Sequence, residues 1–199
     1  MYELLTLALL MHWPLYAQLI VAMANNIMGP WEKISRGSLS ALLKKLEQDG
    51  FIEPGDPAQV PFPSARASQV FAITAAGRER FYQLMMDTSS NPGTYQRIFH
   101  IKALHLEFIP SQDQLFLIEH YMYYCQMGIR YMRNEAQDMA TNPTKKEPVS
   151  KFFLTTALDL MKLTEQEWEL ELSWVQHLRE RVITRMNENE RNTTEENNA

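Results

Sequence analysis

Apolar residues dominate the beginning of the chain and predict two buried helices. Residues 3–12 form a nearly continuous apolar run, and Trp13-Pro14 then bends the chain, because proline disfavours helix in the residue before it. A second helix is predicted from about residue 15 to residue 25, and Gly29-Pro30 ends it.

The third helix is short, with apolar and polar residues on opposite faces. Ser35 can begin it by accepting a hydrogen bond from a free backbone N–H, and Gly50 can end it in the left-handed conformation. Four leucines must face the core, namely Leu39, Leu42, Leu43 and Leu46. The opposite face offers Arg36, Ser38, Ser40, Lys44 and Lys45.

A β-hairpin is predicted after these three helices. Residues 51–55 are typical of a short strand, and residues 66–74 of a returning strand with partial alternation. The loop between them is rich in proline, which a central strand does not accept. Thr74 can cap a further helix over residues 75–86. We therefore predict an N-terminal domain at residues 1–87, followed by a linker at residues 88–94.

Residues 95–187 are interpreted as a second, helical domain. A first helix covers residues 95–109, and two capping boxes, Ser111 to Gln114 and Thr164 to Glu167, predict two further helix starts. Between these starts, apolar residues recur with alternating steps of three and four, which is a heptad seam. Its members are Leu115, Ile118, Met122, Cys125, Ile129, Met132, Ala136 and Met139.

The rest of the chain predicts two more helices and a tail. A short helix follows from Lys151, and a last long helix carries Trp168, Leu172, Val175, Val182 and Met186. Residues 188–199 have almost no apolar side chain to offset their ordering entropy and are predicted to be disordered. The alternating acids at 165, 167, 169 and 171 cannot share one helix face and are interpreted as solvated surface.

The chain is acidic, with a formal net charge of -5 and a pI near 5.6. Acidic and basic residues balance up to Met86, so the acidity lies in the second half. This charge argues against indiscriminate coating of nucleic acid and leaves room for a local basic patch. Cys125 is the single cysteine, which fits a reducing compartment, and Glu3 and the short apolar run argue against a signal peptide or a membrane span. We expect a cytoplasmic protein.

The sequence offers no catalytic or metal-binding motif, so we expect a protein that is not an enzyme and has neither cofactor nor metal. G-x-S-x-G, a Gly-rich phosphate loop and H-E-x-x-H are all absent. His100 and His105 come nearest to a metal-binding pair, but their spacing is i, i+5. We interpret the histidines as polar residues on packed or exposed helix surfaces, and Cys125 as a buried thiol with a raised pKa.

Three short helices followed by a hairpin is the order of a winged helix-turn-helix. In that fold the third helix enters the DNA major groove and the wing contacts a phosphate backbone. The helix residues that would contact DNA are Ser35, Arg36, Ser38, Ser40, Lys44 and Lys45. The alternative is that these residues form an ordinary solvated face, and the pattern alone leaves both readings open.

Six segments of the chain carry a family resemblance. In the first half they are YELLTLALLM with the following Pro14, MGP, SRGSLSALLKKLEQDGFI and ITAAGRERF. In the second half they are FHIKALHLEFIPSQDQ and EQEWELELSWVQHLRERV. In these segments the chain resembles the PadR family of bacterial transcriptional regulators.

The resemblance implies a homodimeric winged-helix repressor that binds operator DNA and is released by a small molecule, often a phenolic acid. It adds Arg66, in the wing, to the residues expected to contact DNA. The family's Tyr-Pro pair falls on Ser40-Ala41, and the basic and aromatic wing residues are missing except for Arg66. Fewer phosphate contacts should weaken both the affinity and its salt dependence.

Two functions are predicted. The first is a dimeric, sequence-specific DNA-binding transcriptional regulator, a repressor released by a small aromatic molecule, whose operator is an inverted repeat with half-sites roughly 34 Å apart. The second is a helical protein-interaction adaptor that has lost operator binding, which the neutral N-terminal domain and the acidic second half favour.

Two further sets of residues are predicted with these functions. Aromatic side chains that could hold a flat effector, or alternatively form core and dimer packing, are Trp13, Tyr16, Trp31, Trp168 and Trp174. The expected dimer contacts are Leu115, Ile118, Met122, Cys125, Ile129, Met132, Trp168, Leu172, Val175 and Val182. The heptad seam has an alternative too, since it can pack against helices of its own chain.

Overall fold

The chain folds into two compact units, Met1–Ile109 and Pro110–Ala199. A computed structural model describes residues 1–29, 33–61, 69–89, 92–146 and 149–197. The first unit combines helices with a small antiparallel sheet, and the second is built from helices. The predicted fold class is confirmed: the chain is mainly α, with an N-terminal winged helix-turn-helix and a helical second part.

The first two helices form as the apolar pattern predicts. Helix α1 spans Tyr2–His12 and is buried at every position from Leu4 to Leu10. Helix α2 spans Ala17–Met28 and ends at Gly29, whose φ of 81° is in the left-handed region. No helix in the described ranges has the length and apolar content that crossing a membrane requires.

Helix α3 spans Arg36–Gln48 and has the predicted start and stop. The Ser35 hydroxyl accepts a hydrogen bond from the Ser38 N–H at 3.0 Å. After Asp49, the chain turns through Gly50 at a φ of 75°. Its buried leucines are Leu39, Leu43 and Leu46.

The sheet has three antiparallel strands in the order β1-β3-β2. Strands β2, Ile52–Pro54, and β3, Val70–Ile73, form the predicted hairpin, with Ile52 opposite Ile73. Strand β1, Leu15–Tyr16, pairs with the far edge of β3 and was not predicted. Its two apolar residues lie next to a helix and share its apolar pattern, so only their pairing with β3 identifies them as strand. A 3-10 turn, Pro57–Gln59, follows β2.

Helix α4 spans Ala75–Met86, the range predicted from Thr74. The Thr74 hydroxyl accepts from the Gly77 N–H at 3.0 Å and donates to the Gly50 carbonyl at 2.7 Å. A Cβ atom on Gly77 would lie 2.0 Å from the Phe51 carbonyl oxygen. The start of α4 therefore lies directly against the chain that leads into β2.

Helix α5, Tyr95–Leu104, belongs to the first unit, between 3-10 turns at Pro92–Thr94 and Leu106–Phe108. The Phe108 ring lies edge-on to His12 of α1 and Phe81 of α4, with centroid distances of 4.6 and 6.2 Å. We expected the division at residues 88–94, whereas the structure divides after Ile109. The apolar residues of this segment identify it as buried, but the pattern cannot say against which helices.

Lys102 fixes α5 to the segment that follows α4. Its side chain is fully buried, and its ammonium group donates to the Asp87 carbonyl at 2.6 Å. Burial lowers the pKa of Lys102 to about 8, and the charge of Asp87 raises it in part.

The second unit consists mainly of two long helices side by side. Helix α6 spans Ser111–Thr141, α7 spans Pro143–Lys146 and α8 spans Lys151–Asn197. Contacts along α6 meet α8 in reverse order: Gln114 bonds to Arg185, Tyr121 bonds to Glu171, and Arg133 pairs with Glu165. The two helices are therefore antiparallel.

Two predicted boundaries in this unit need correction. The start at Thr164 is wrong, because α8 runs without a break from Lys151. No Gly or Pro lies between residues 151 and 197, so nothing interrupts the helix there. At the other capping box, the predicted start of α6 is confirmed: Ser111 is the first helical residue, although no side chain caps the helix.

Helix α8 continues to Asn197, although the composition of residues 188–199 predicts disorder.

The interpretation of the alternating acids of α8 as solvated surface is wrong for Glu165 and Glu171, whereas Glu167 and Glu169 are exposed. Glu165 is buried, and both it and Glu169 accept hydrogen bonds from the Arg133 guanidinium, at 2.5 and 2.6 Å. These bonds from Arg133, with a further one from Lys162, lower the pKa of Glu165. Glu171 accepts from the Tyr121 hydroxyl at 2.8 Å. The acids thus reach different groups on two sides of α8.

Candidate nucleic-acid interface

The exposed surface of α3 carries the predicted DNA-contacting residues in two rows. Arg36, Ser40 and Lys44 follow one another at steps of four and are all exposed. Ser38 and Lys45, seven residues apart, are exposed on a second row that lies about 100° or more around the helix from the first. The structure therefore brings Arg36, Ser40 and Lys44 together and places Ser38 and Lys45 on a different side of α3.

The cations of α3 have no partner among the described residues. Arg36, Lys44 and Lys45 form neither hydrogen bond nor ion pair there, whereas several cations elsewhere are engaged. Arg80 pairs with Glu3 at 2.7 Å, and Arg179 pairs with Glu119 at 2.8 Å. The positive charge of α3 is thus available to an external anion.

Ser35 and Ser38 have a structural role at the start of α3. Their hydroxyl oxygens lie 2.9 Å apart, and the Ser35 oxygen also accepts from the Ser38 N–H. The Ser35 hydroxyl therefore has two internal hydrogen bonds and the Ser38 hydroxyl one. Of the residues predicted to contact DNA, those whose side chains lack a partner among the described residues are Arg36, Ser40, Lys44 and Lys45.

Asn25 holds the turn between α2 and α3, a role that the sequence did not reveal. Its side-chain oxygen accepts from the Ile34 N–H at 2.7 Å, and its side-chain nitrogen donates to the Ile34 carbonyl at 3.2 Å. Ile34 is buried next to the Ser35 cap. This pair of bonds fixes where α3 begins, and only the fold brings the residues together.

A groove of about 740 Å³ lies along the free cations, between α2, α3 and the start of β3. Leu39, Leu43 and Phe71 contribute the buried side chains of its floor. Its exposed polar lining includes Arg36, Ser40, Lys44, Glu47, Gln18 and Gln69. The groove therefore joins an apolar floor to a polar rim on the face predicted to read DNA.

Two predicted site residues lie outside the described ranges. Arg66 belongs to the segment between residues 61 and 69, and Trp31 to the segment between residues 29 and 33. The role of Arg66 in DNA contact and the role of Trp31 in effector binding therefore remain predictions.

The other aromatic candidates occur in both units. Trp13 is 42% exposed and stacks on His12, while Tyr16 is buried with Val60 and Val70. Trp168 is half-buried in the second unit and lies edge-on to Tyr124, with a centroid distance of 5.4 Å. Trp174 is 36% exposed on α8. None of these residues lines the groove on α3.

The heptad seam packs within the chain, which is the alternative left open by the sequence. Five of the expected dimer contacts are fully buried in the second unit, namely Ile118, Cys125, Ile129, Val175 and Val182. The other five are half-buried, namely Leu115, Met122, Met132, Trp168 and Leu172. A second copy could not reach the buried five without separating α6 from α8.

A different set of apolar side chains remains exposed on both long helices. On α6 it comprises Phe116, Tyr123, Met127 and Tyr131. On α8 it comprises Phe152, Phe153, Leu160, Leu163, Leu170 and Trp174. We call these ten residues the exposed stripe. From Phe153 onward its α8 members recur at steps of seven, three, seven and four, so a second heptad pattern in the sequence could have revealed them.

Cys125 and His105 are two buried ionisable groups that lie outside α3. Burial raises the pKa of Cys125 to about 12, as expected for a thiol on an apolar seam. His105 is buried, and its Nδ1 lies 3.1 Å from Nε2 of His12. No cluster of three potential metal ligands occurs among the residues that could be searched.

Comparison with solved structures finds regulators with which the chain aligns over most of its length, including the following three. PadR of Bacillus subtilis, crystallised with operator DNA, is 17% identical, with 87% of this chain and 98% of that chain covered and a TM-score of 0.39. A PadR-like transcriptional regulator from Bacillus cereus is 15% identical, with 89% and 99% covered and a TM-score of 0.36. The virulence activator AphA of Vibrio cholerae is 12% identical, with 92% and 99% covered and a TM-score of 0.38.

No protein-family model matches the chain. No curated protein matches it. With TM-scores below 0.5 for the three structures, the function has to be argued from the residues of this chain.

Proposed function

We propose that this chain is a sequence-specific DNA-binding regulator of transcription that acts as a homodimer. The observation that carries the proposal is the exposed side of α3, where Arg36, Ser40 and Lys44 point to solvent and both cations lack a partner among the described residues. A helix with free cations on a winged helix-turn-helix scaffold suits the DNA major groove.

The recognition step follows from the geometry of α3. Its 13 residues span about 20 Å, which suits insertion of its N-terminal half into the major groove. Arg36 and Ser40 are placed to contact base edges, and Lys44 and Lys45 to contact phosphates. Arg66 is proposed to add one phosphate contact from the wing. Asn25 keeps the start of α3 in place during this contact.

The exposed stripe supports the homodimer. Leu170 is 74% exposed and Phe152 is 81% exposed, and many exposed large apolar side chains on one unit are typical of a protein contact. Two copies related by a two-fold axis would present two α3 helices to half-sites roughly 34 Å apart. The operator is accordingly proposed to be an inverted repeat.

Two finer parts of the proposal rest on the sequence resemblance. The regulator is proposed to be a repressor, and a small aromatic molecule of the phenolic-acid type is proposed to release it from DNA. Exposed Trp13 and Trp174 are reporters for such a ligand. A tryptophan-quenching titration with phenolic acids should give a saturable response, and a flat response would remove the effector from the proposal.

A mobility-shift titration tests the DNA-binding claim. The DNA should come from upstream of the chain's own gene and of neighbouring genes, and the protein should be compared with Arg36→Ala/Lys44→Ala. We expect a specific shift that the variant loses. The matched control is Lys151→Ala/Arg181→Ala, which removes two exposed cations from α8 and should shift DNA normally.

The protein-interaction adaptor is the second candidate, because the exposed stripe could also bind a different protein. It predicts no specific shift with any upstream DNA, a monomer by light scattering, and a stable heterologous partner in a pull-down. A dimer with a specific shift would eliminate it.

A further inference from the structure

We propose that the groove between α2 and α3 binds an amphipathic organic anion, and that this ligand excludes DNA from α3. The proposal deepens the proposed function by naming a ligand class and a binding site for the regulator. It places the ligand on the DNA-reading helix and away from the aromatic residues proposed as effector contacts.

The size and floor of the groove define the apolar part of the ligand. A volume of about 740 Å³ lies within the range of small-molecule sites. Leu39, Leu43 and Phe71 form an apolar floor, and Val21 extends it along α2. A single aromatic ring would fill only a fraction of this space. The groove therefore suits a body of two or three rings, or an alkyl chain of similar volume.

The charges on the groove define the polar part of the ligand. Arg36 and Lys44 line it eight residues apart, which places their backbones about 12 Å apart along α3. The third charged residue of the lining is Glu47, whose carboxylate accepts from the Gln69 amide at 3.5 Å. Cations therefore outnumber anions, and neither cation has a described partner. An acidic group on the ligand would pair with them.

Competition with DNA follows from the shared residues. Arg36, Ser40 and Lys44 line the groove and also belong to the surface proposed to contact DNA. A bound anion would neutralise positive charge that phosphates need, and its body would lie along the helix that enters the major groove. Ligand and DNA should therefore exclude each other without any conformational change.

The test uses 8-anilino-1-naphthalenesulfonate, a fluorescent anion with an apolar body of three rings, and the full chain without DNA. Ala22 lines the groove and is exposed, so Ala22→Phe adds a ring that fills it. The matched control is Asn26→Phe, which adds the same ring to an exposed position of α2 outside the lining. Lys44→Gln and Lys45→Gln form a second pair, because only Lys44 lines the groove. Thermal unfolding by circular dichroism should establish that each variant is folded.

We expect saturable binding that Ala22→Phe weakens at least tenfold and Lys44→Gln several-fold, with Asn26→Phe and Lys45→Gln like the parent chain. Equal binding by Ala22→Phe and Asn26→Phe would overturn the proposal, because the probe would then bind elsewhere, for instance on the exposed stripe. Absence of any saturable binding would overturn it as well.

A second readout separates this proposal from the proposed function. With labelled operator DNA, the apparent Kd should rise in proportion to the probe concentration, without a ternary complex. A ternary complex would refute competition. If the chain bound no DNA at all, the proposed function would fail, while the binding data obtained without DNA would still decide the ligand site.

Discussion

His105 and His12 form a hydrogen-bonded pair inside the first unit. His105 is 4% exposed, its Nδ1 lies 3.1 Å from His12 Nε2, and its own Nε2 has no partner among the described residues. Burial, and secondarily the charge of His12, lower the pKa of His105 to about 4 from an ordinary value of 6.5. The fold therefore holds this imidazole in its neutral form.

This pair predicts a loss of stability in acid. The unfolded chain protonates His105 near pH 6.5 and the folded chain only near pH 4, so its contribution is complete above pH 6.5 and is lost as the pH falls to 4. The shift corresponds to about 3 kcal/mol. Urea unfolding at pH 7.5 and pH 4.5 should show this loss, and it should be largely absent in His105→Gln. Equal losses in both proteins would contradict the assignment.

At the scale of elements, Gly77 sets the contact between α4 and the chain entering β2. A Cβ at this position would lie 2.0 Å from the Phe51 carbonyl oxygen, a backbone atom that cannot rotate away. Thr74 adds two hydrogen bonds at the same place. The close contact between α4 and the chain entering β2 therefore requires glycine, which has no side chain, at position 77.

Replacing this glycine should be costly. We expect Gly77→Ala to lower the free energy of unfolding by about 3 kcal/mol or more, because the backbone must shift. Gly37→Ala is the matched control, since Gly37 is exposed in the first turn of α3 and its Cβ would meet only Ser35 Oγ at 3.8 Å. It should be neutral or stabilising by up to about 1 kcal/mol. Urea unfolding compares the two, and similar costs would contradict this view of the junction.

Local signals in the sequence predicted most of the first unit. The Ser35 and Thr74 caps and the Gly50 stop are decided by neighbouring atoms, and all three were confirmed. The two residues of β1 were missed because only pairing with β3 defines them. The exposed cations of α3 could also be predicted from the sequence, because they all lie on one amphipathic helix.

The parts that depend on tertiary partners were beyond the sequence. Thr164 satisfies a capping motif, yet it lies inside α8, because Arg133 engages Glu165 and no breaker residue is present. The bonds between Asn25 and Ile34 and the groove on α3 likewise require residues brought together by the fold. Apolar spacing also could not tell which of two faces of α6 and α8 packs within the chain.

At the scale of the whole molecule, the exposed stripe predicts a dimer. Leu163 and Leu170 are 51% and 74% exposed, so Leu163→Glu/Leu170→Glu should leave the chain folded and convert it to a monomer. Light scattering at micromolar concentration should give twice the chain mass for the parent. The control Thr184→Glu/Asn187→Glu places the same charges at exposed polar positions of α8 beyond the last member of the stripe, Trp174, and should remain dimeric. A monomeric parent would contradict the dimer and with it the palindromic operator.

The net charge of -5 is compatible with DNA binding because the charges are unequally engaged. In the second unit Glu165, Glu169 and Glu119 are paired with arginines. On α3 the cations have no partner in the part of the chain that the structure describes, and dimerisation would double their number. A modest basic surface on an acidic chain can therefore bind DNA at moderate salt.

The salt dependence of DNA affinity tests the central claim most directly. Fluorescence anisotropy should measure the Kd for operator DNA at several salt concentrations, for the parent chain and for Arg36→Ala/Lys44→Ala. If Lys44 of each subunit neutralises one phosphate while Arg36 contacts base edges, the slope of log affinity against log salt should become shallower by about 2. An unchanged slope, with affinity equal to that of the parent, would contradict a DNA-binding role for α3.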